Sequence, residues 1–446
     1  MTKGVGGLDN NSMLKILHFI LKLLAKAVIK KYQPRVIAIT GSVGKTSSKE
    51  AISVVLKAKF NTRAPSKNFN NEIGTPLTIL GQQKSPGKNI LAWFWIFLLA
   101  LKLLLIKDKV NGEAREGGLG HKNYPEVLVL EMGADKPGDI KYLTSIAKPD
   151  ISVITAIGPS HIEFFKTIDN IVKEKSSILD RLNKDGLAIL NNDDANLQKV
   201  IETCQAKIYS FGRKEGSDVK ISDIKITARD NTYGTSFKLT HQGSEVPMFL
   251  PYVLGWQHAY AAASATAVAL YMEMNLVDIA KRLLKYKPAR GRTNLIKGIK
   301  NTWIIDDSYN ASPQSAKAAL DILSDMPVEG RKFAVLGDML ELGALTEEAH
   351  QEIGRELVRL GIDYLFVVGE KSRDIARGAK EAGMDKDNIY HFPFTAEAGA
   401  FLQERLKEND LILIKGSRSA KMEQIVYEIM DKPWLAKDLL VGPVVK

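Results

Sequence analysis

The 446-residue sequence has almost no cysteine and lacks the patterns that mark several classes of protein. Cys204 is the only cysteine, so an intramolecular disulfide is excluded, which fits a reducing compartment. No zinc-finger or RNA-binding spacing occurs, and we expect no nucleic-acid partner. No small-residue cleavage site follows the apolar segment 13–29, so we find no secretory signal and expect a cytoplasmic protein. No internal repeat is present.

Positive charge is concentrated in the first part of the chain. The formal net charge is +11, and residues 1–50 hold nine Lys or Arg against two acidic residues. A basic end of this kind suits anionic partners, either a phosphate-rich substrate or an acidic membrane surface. The length corresponds to two to four domains at roughly 100–200 residues each.

Two apolar segments stand out. The first, from Met13 to Tyr32, predicts a helix with one polar stripe, whose members recur at spacings of three and four: Lys15, His18, Lys22, Lys26 and Lys30. Such a helix suits a membrane interface, a groove on a partner, or packing on its own domain. The second, Ile90 to Ile106, has one charge, Lys102, and at seventeen residues is shorter than the roughly 20 that span a bilayer.

Buried apolar runs alternate with helical patterns along the rest of the chain, which predicts an α/β fold. Residues 205–250 have a β-rich pattern, residues 256–287 a helical one, and the last 145 residues predict a separate doubly wound unit. The predicted strands are Val36–Thr40, Val127–Leu130, Ile151–Thr155, Leu187–Leu190, Thr302–Ile305, Phe333–Leu336, Tyr364–Val368, Ile389–Phe392 and Leu411–Ile414.

A glycine loop lies between the first predicted strand and a helix. Its residues are Gly41, Ser42, Val43, Gly44, Lys45, Thr46 and Ser47. Backbone N–H groups in such a loop, together with the following helix N-terminus, form a cradle for phosphate. Lys45 is expected to reach the β/γ-phosphates of a nucleotide and the Thr46 hydroxyl to bind Mg²⁺.

Two further polar residues follow predicted strands. Glu131 comes directly after Val127–Leu130, and His161 lies just past Ile151–Thr155. In a parallel sheet both would stand at the carboxyl edge, where the glycine loop also begins. Spacing alone leaves each equally suited to be a Mg²⁺ ligand or a capping or core residue.

Seven motifs occur in an order that resembles a known family. They are TGSVGKTSSKE (40–50), NFNNEIGTPLTIL (68–80), LEMGADKPGDIKYL (130–143), ITAIGPSHIEFF (154–165), DDSYNASPQSAKAAL (306–320), GDMLELG (337–343) and KGSRSAKME (415–423). Over roughly 35–430 the chain resembles the Mur ligases, which are ATP-dependent amide ligases. NFNNEIGTPLTIL together with GDMLELG indicates the MurF type.

The resemblance implies a central P-loop ATPase domain with a mostly parallel sheet, followed by a Rossmann-like C-terminal domain. We expect an N-terminal helix at 1–34, the ATP-binding domain at 35–292 with an apolar insertion at about 88–120, and the ligase domain at 293–446. The implied reaction phosphorylates the carboxylate of a nucleotide-linked muramoyl tripeptide with ATP, and the amine of D-alanyl-D-alanine then attacks the acyl phosphate. The resemblance does not fix the oligomeric state, for which we expect a monomer.

The resemblance also assigns metal and catalytic roles, with ATP and two Mg²⁺ ions as cofactors. Thr46, Glu131 and His161 match metal-site positions. Lys175 matches a lysine that is carbamylated to bind the second Mg²⁺, because an unmodified lysine only donates hydrogen bonds. The positions that match catalytic groups are Lys45, His161 and Lys175.

Nucleotide and substrate roles follow in the same way. Arg292 matches an arginine that reaches the ATP phosphates, and Asp307 and Asn310 match nucleotide contacts in the C-terminal domain. Asn70 and Asn71 match a substrate-side loop.

Three features depart from the family pattern. The helix beginning His258-Ala-Tyr-Ala-Ala262 lacks two asparagines, so adenine recognition from it is not implied. About 35 residues precede the first strand, where the family has a domain for the uridine nucleotide. We therefore expect that end of the substrate to be held differently, by a partner, or not at all. The third feature is the apolar run 90–106. A single crossing of a bilayer there would place Thr46 and Glu131 on opposite faces of the membrane, where they could not share a metal. Either this run therefore lies in the membrane interface, or it packs with the helix 13–32 against the protein, or Thr46 and Glu131 do not share a metal.

Two alternatives to the main interpretation remain. One is a Mur-family ligase with a different donor or acceptor. The other is a membrane-peripheral ATPase that joins nothing, against which the set of Glu131, His161 and Lys175 argues. For either enzyme, the lysine stripe predicts peripheral contact with the anionic inner face of the cell membrane.

Overall fold

The computed structural model describes residues 10–65, 69–87, 89–106, 124–159, 162–229 and 232–442. The chain divides into two units. Unit 1 comprises Met1–Ile157, Asp169–Val219 and Ser264–Asn275, and unit 2 comprises Gly158–Ile168, Lys220–Ala263 and Leu276–Lys446.

Helices and strands alternate along most of the described chain. The helices are α1 Asn10–Tyr32, α2 Lys45–Leu56, α3 Gly74–Ile79, α4 Ile90–Leu105, α5 Asp139–Ile146, α6 Ile162–Phe165, α7 Ile168–Ser176, α8 Gln198–Thr203, α9 Trp256–Tyr271, α10 Leu276–Leu283, α11 Pro313–Asp325, α12 Thr346–Arg359, α13 Arg373–Glu381, α14 Thr395–Arg405, α15 Glu423–Ile429 and α16 Ala436–Leu439. The strands are β1 Arg35–Thr40, β2 Thr62–Arg63, β3 Val127–Glu131, β4 Ile151–Ile154, β5 Leu187–Asn191, β6 Lys207–Gly212, β7 Val219–Arg229, β8 Thr232–His241, β9 Ser244–Pro251, β10 Asn294–Lys297, β11 Trp303–Asp307, β12 Lys332–Gly337, β13 Tyr364–Val368, β14 Ile389–Phe392 and β15 Leu411–Lys415.

Unit 1 is built on parallel strands in the order β2-β3-β1-β4-β5-β6. Every residue of β3, β4 and β5 is buried, as expected for strands covered on both faces. The apolar runs predicted to be buried strands in this region are therefore confirmed. All the strands run in one direction, so their carboxyl ends meet at one edge of the sheet.

Unit 2 contains two strand arrangements. Strands β7, β8 and β9 pair antiparallel, which confirms the β-rich pattern of residues 205–250. The second is a six-stranded sheet in the order β10-β11-β15-β12-β13-β14, parallel except for the edge strand β10. Buried apolar clusters cover both of its faces, which confirms the predicted doubly wound unit.

The two apolar segments of the sequence form α1 and α4. Helix α1 packs against α3, α4 and α5 through one buried stripe: Leu21, Ala25, Val28 and Tyr32. The Lys31 ammonium donates to the carbonyl oxygens of Leu103 at 2.7 Å and Ile106 at 2.5 Å, where α4 ends. A cation there satisfies carbonyl groups that the helix leaves without partners.

The same packing bears on the expected membrane topology. None of the helices in the described part of the chain is long and apolar enough to cross a bilayer. The expected packing of the run 90–106 with the helix 13–32 is confirmed, and many apolar side chains of both helices remain exposed.

Candidate phosphate and metal site

The glycine loop is held against the end of β4. The Thr155 hydroxyl donates to the carbonyl of Val43 at 2.6 Å, and an added Cβ on Gly41 would lie 2.1 Å from that hydroxyl oxygen. Gly44 has a φ of +85°, in the left-handed region that favours glycine, and immediately precedes α2. The two glycines therefore let the loop approach the sheet and turn into the helix.

Lys45 is the first residue of α2, and its side chain folds back over the loop. Its ammonium donates to the carbonyls of Gly41 at 2.7 Å and Ser42 at 3.3 Å. This places the lysine charge above the loop, where the phosphates of a bound nucleotide are expected.

Glu131 lies beside the glycine loop, as the parallel-sheet argument predicts. It is the last residue of β3, in register with Ile39 of β1. The Thr46 hydroxyl donates to its Oε2 at 3.0 Å, and the Asn70 amide donates to its Oε1 at 3.3 Å. The residue is only 2% exposed, and no described residue forms an ion pair with it. A buried carboxylate with neutral partners suits a bound cation, because desolvation of the anion is otherwise uncompensated.

Lys175, on α7 of the same unit, is also buried. Burial and the nearby Lys45 charge lower the pKa of its ammonium to about 7. The adjacent Glu174 carboxylate is committed elsewhere, since it accepts from the backbone N–H groups of Gly138 at 2.7 Å and Ile140 at 2.8 Å. The charges of Glu174 and Asp135 therefore offset only part of the lowering of the Lys175 pKa.

The remaining predicted residues of this region differ in their placement. The Asn71 side chain accepts from the backbone N–H of Gly74 at 2.8 Å and so caps α3. His161, the other predicted metal and catalytic residue, lies outside the described residues. Within the described ranges no three His, Cys, Asp or Glu side chains cluster as a metal site. Thr46 and Glu131 therefore make up only part of a donor set.

Unit 2 holds a second group of predicted residues. Asp307 ends β11, in register with Lys415 of β15, and the Lys415 ammonium donates to its carboxylate at 2.5 Å. The same ammonium donates to the carbonyl of Asn310 at 2.9 Å. The Arg292 guanidinium lies 4.3 Å from the centre of the Tyr309 ring, which fixes its position by a cation–π contact.

Sequence reasoning did not assign the neighbours that hold Asp307 in place. The Thr293 N–H donates to the Asp307 carboxylate at 3.1 Å, and the Thr293 hydroxyl lies 2.8 Å from His258 Nε2. The Tyr286 hydroxyl lies 2.8 Å from His258 Nδ1. Burial lowers the pKa of His258 to about 4, so the ring is neutral at physiological pH. The sequence offered one signal for a partner of Asp307, namely Lys415, which directly follows the predicted buried strand Leu411–Ile414.

Family models and known proteins match most of this chain. The Mur ligase middle domain matches residues 120–269, and the glutamate ligase domain of Mur ligases matches residues 291–418. UDP-N-acetylmuramoyl-tripeptide–D-alanyl-D-alanine ligase of Bacillus subtilis is 34% identical over 413 residues, covering 93% of this chain and 79% of the relative.

Solved structures agree with these matches. A crystal structure of MurF from Acinetobacter baumannii has a TM-score of 0.74 at 28% identity, with 92% of this chain and 79% of that chain covered. MurF ligase from Thermotoga maritima, in complex with ADP, has a TM-score of 0.73 at 26% identity, with 96% and 86% covered.

Proposed function

The chain belongs to the Mur ligase family, and we propose that it is a MurF-type ligase that joins D-alanyl-D-alanine to a UDP-muramoyl tripeptide with ATP. The observation that carries this function is the 34% identity to a ligase of that name along 93% of the chain. The phosphate loop and the buried Glu131 beside Thr46 supply the matching chemistry.

The reaction requires activation because a carboxylate is a poor electrophile. An oxygen of the tripeptide carboxylate attacks the γ-phosphorus of ATP, and ADP leaves. The amine of D-alanyl-D-alanine then attacks the acyl phosphate, an amide bond forms, phosphate leaves and the amine loses a proton. The loop N–H groups and Lys45 neutralise charge that develops on the phosphates, while the rest of the site positions the reactants.

Mg²⁺ fits the donor set of unit 1. Thr46 and Glu131 would hold it through a hydroxyl and a carboxylate oxygen, the ligand types that this ion prefers. When bound, it neutralises phosphate charge. We assign His161 to the same metal site and to catalysis by the family resemblance alone.

We propose further that Lys175 acts as a carbamate. Formation of a carbamate requires a neutral amine to attack carbon dioxide, and the lowered pKa of Lys175 supplies that amine near neutral pH. The product is an anion with two oxygens, which can bind a second cation where an ammonium cannot.

Replacement of Lys175 tests the carbamate. Lys175→Ala should lose most ligase activity, short-chain carboxylates should restore part of it, and bicarbonate alone should restore none. In protein equilibrated with ¹³C-bicarbonate, the carbamate carbon should give an NMR signal that Lys175→Ala lacks. Lys173→Ala removes an exposed lysine of the same helix and should keep both activity and signal. Full activity in Lys175→Ala would exclude this role.

The unit 2 residues are proposed to contact the nucleotide: Arg292 through its phosphates, and Asp307 and Asn310 through the rest of the molecule. The domain boundaries proposed with them are 1–34, 35–292 and 293–446.

One incubation tests the function itself. Purified protein with ATP, Mg²⁺, UDP-muramoyl tripeptide and D-alanyl-D-alanine should yield a product heavier by one dipeptide less one water. ADP and phosphate should appear in equal amounts. Phosphate release without a joined product would identify an ATPase, and a product formed only with another amine would identify a different acceptor.

We also propose that unit 1 binds anionic bilayers peripherally through α1 and α4. One face of α4 is apolar and exposed, with Ile90, Leu91, Phe94, Leu98, Leu101 and Leu105 recurring along it. On α1, Phe19 and Leu23 are exposed, and Lys26 and Lys30 are exposed beside them. Exposed Trp95 suits the headgroup level, and each lysine near an anionic surface contributes about 1 kcal/mol.

Vesicle flotation tests this surface. Full-length protein should float with anionic vesicles at low salt, less at high salt, and little with neutral vesicles, because salt screens the lysines but leaves the apolar contact. Replacement of Phe94 and Leu98 by serine should reduce flotation at every salt concentration. Protein that stays at the bottom with anionic vesicles at low salt would show that α1 and α4 serve only to pack on unit 1.

A further inference from the structure

A cavity of about 480 Å³ opens in unit 1 between α1, the loop before α3 and the loop after β3. Helix α1 forms one wall with Lys15, His18, Phe19 and Lys22. The other walls are residues 70–72 and 133–139, together with Tyr142 and Leu143 of α5. Lys15, His18 and Lys22 of the polar stripe therefore line this cavity, whereas Lys26 and Lys30 of the stripe do not.

His18 gives the clearest sign that the cavity takes a ligand. Its Nε2 atom is buried, yet it has no hydrogen-bond partner among the described residues. Buried polar atoms in native proteins nearly always have a hydrogen-bond partner, and His18 lines the cavity, so a water molecule or a ligand group there is the partner expected.

Lys22 gives the second sign. Its ammonium lies 4.4 Å from the centre of the Tyr142 ring, and no described carboxylate forms an ion pair with it. Burial, then the charges of Lys26 and Arg181, lower the pKa of Lys22. The α1 wall is therefore a region of positive potential without a counter-charge in contact.

The acidic side chains of the cavity belong to its other walls, which also carry Lys136. Glu72 and Asp135 belong to the two loop walls. The Asp139 carboxylate accepts from the backbone N–H groups of Asp135 at 2.9 Å and Lys136 at 3.0 Å, so its own loop holds it. An anionic ligand group is thus expected against α1.

The cavity begins at the proposed reaction centre. Asn70 lines it, and the same side chain donates to Glu131, the proposed Mg²⁺ ligand. Gly133, which also lines it, donates its N–H to the Asn70 carbonyl at 2.8 Å. A ligand group at the Asn70 end of this cavity would therefore lie beside the side chain that contacts the proposed Mg²⁺ ligand.

We propose that the cavity binds the peptide end of the muramoyl tripeptide, with Lys15, His18 and Lys22 holding its carboxylate and amide oxygens. This inference rests on the proposed ligase function. The reacting carboxylate ends the tripeptide, and one residue spans at most about 3.6 Å, so the groups nearest the metal site belong to the peptide. The nucleotide is attached at the other end of the molecule.

Steady-state kinetics of single variants test the proposal. Lys22→Gln should raise the KM for the muramoyl tripeptide about tenfold, because a charge-assisted hydrogen bond is lost. The KM for ATP and kcat should change less than about twofold, and Lys22→Arg should restore most of the loss. Lys141→Gln, which removes an exposed lysine of α5 that does not line the cavity, should behave like the unmodified protein.

Two further arms separate the alternatives. Lys15 is exposed, so Lys15→Gln should raise the same KM without lowering the melting temperature, even if Lys22→Gln lowers it. The variant should raise the KM for a muramoyl tripeptide without the nucleotide by the same factor as the KM for the nucleotide-linked substrate. If the variant raises the KM only for the nucleotide-linked substrate, the cavity binds the diphosphate and the peptide assignment is wrong.

The outcomes also distinguish this inference from the function on which it rests. If the unmodified protein ligates but Lys22→Gln and Lys15→Gln keep its KM, the cavity assignment is wrong and the ligase function stands. If the unmodified protein forms no joined product from any muramoyl peptide, both are wrong.

Discussion

Glu131 in unit 1 and Asp307 in unit 2 are two buried carboxylates that each end a parallel strand, yet their charges are balanced differently. Glu131 is bonded to a hydroxyl and an amide, both neutral. Asp307 is bonded to the ammonium of Lys415, its register partner on the neighbouring strand. Among the described residues no cationic side chain contacts Glu131, whereas Asp307 has one built into the sheet.

This difference indicates what each unit contributes. Burial of an unpaired charge costs free energy. The buried Glu131 carboxylate therefore indicates a site that a cation and phosphates from solution complete. The pair in unit 2 is complete in the chain itself, so it can hold β11 and β15 together and orient the segment from Asp307 to Asn310. The stability of unit 1 should therefore depend on bound ligands, whereas the stability of unit 2 should fall when one side chain of the Asp307–Lys415 pair is removed.

The largest expected effect comes from the loop lysine of unit 1. Lys45→Ala should reduce ligation and ATP turnover by at least about a thousandfold, because transition-state charge stabilisation is often worth several kcal/mol. Its melting temperature should stay unchanged, since the Lys45 ammonium donates to carbonyl groups of the loop that water can hydrogen-bond in its place. Product mass and calorimetry measure both quantities. Lys57→Ala, at the other end of α2 and exposed, is the matched control.

Near-native turnover in Lys45→Ala would contradict the phosphate-loop assignment. An equal loss in Lys57→Ala would show that the helix rather than the Lys45 charge is responsible.

The second expected effect is on the stability of unit 2. Asp307→Asn leaves the Lys415 ammonium buried at 2% exposure without its counter-charge, which should cost about 3–5 kcal/mol of the free energy of unfolding. Urea denaturation monitored by tryptophan fluorescence measures it. Replacement of both residues, as Asp307→Asn with Lys415→Met, should restore part of the loss; if the double variant is less stable than Asp307→Asn, the pair is not the cause.

The matching change in unit 1 should behave in the opposite way. Glu131→Gln keeps the shape and removes an uncompensated charge, so stability without Mg²⁺ should not fall. In the unmodified protein, Mg²⁺ with ADP at a hundredfold excess over Kd should stabilise by about 2.7 kcal/mol, and Glu131→Gln should lose most of this gain. Thermal unfolding with and without the ligands decides; an unchanged ligand effect would remove Glu131 from the metal site.

The sequence was sufficient for the Glu131 position but not for the Asp307 pair. Buried runs identified the strands, and the common direction of parallel strands placed Glu131 beside Thr46. The partner of Asp307 could not be predicted, because β15 inserts between β11 and β12 and joins residues 108 positions apart.

The apolar helices show the same limit. Their helical character followed from periodicity and length. Which face of each helix is buried depends on contacts between residues that are far apart in the sequence. The hydrogen bond from Lys31 to Leu103, 72 residues away, is one of them, and no local sequence pattern predicts it. The cavity beside α1 is lined by residues from three separate parts of the chain, so it was equally hidden.

The smallest expected effect is a pH dependence in unit 2, where two buried groups, His258 and Asp306, titrate in opposite senses. Burial lowers the pKa of His258 to about 4, so the unfolded chain binds the extra proton below pH 6.5 and this residue makes stability rise with pH. Burial raises the pKa of Asp306 to about 7, so the folded chain holds the extra proton above pH 3.8 and this residue makes stability fall with pH. Between pH 5 and 7 each contributes about 2 kcal/mol, and the two contributions nearly cancel.

Asp306→Asn should therefore leave the contribution of His258 unopposed, so that the free energy of unfolding rises by about 2 kcal/mol between pH 5 and 7. His258→Asn should give a fall of similar size, and urea denaturation at pH 5, 6 and 7 measures both. Equal slopes in the two variants would mean that other groups govern the pH dependence.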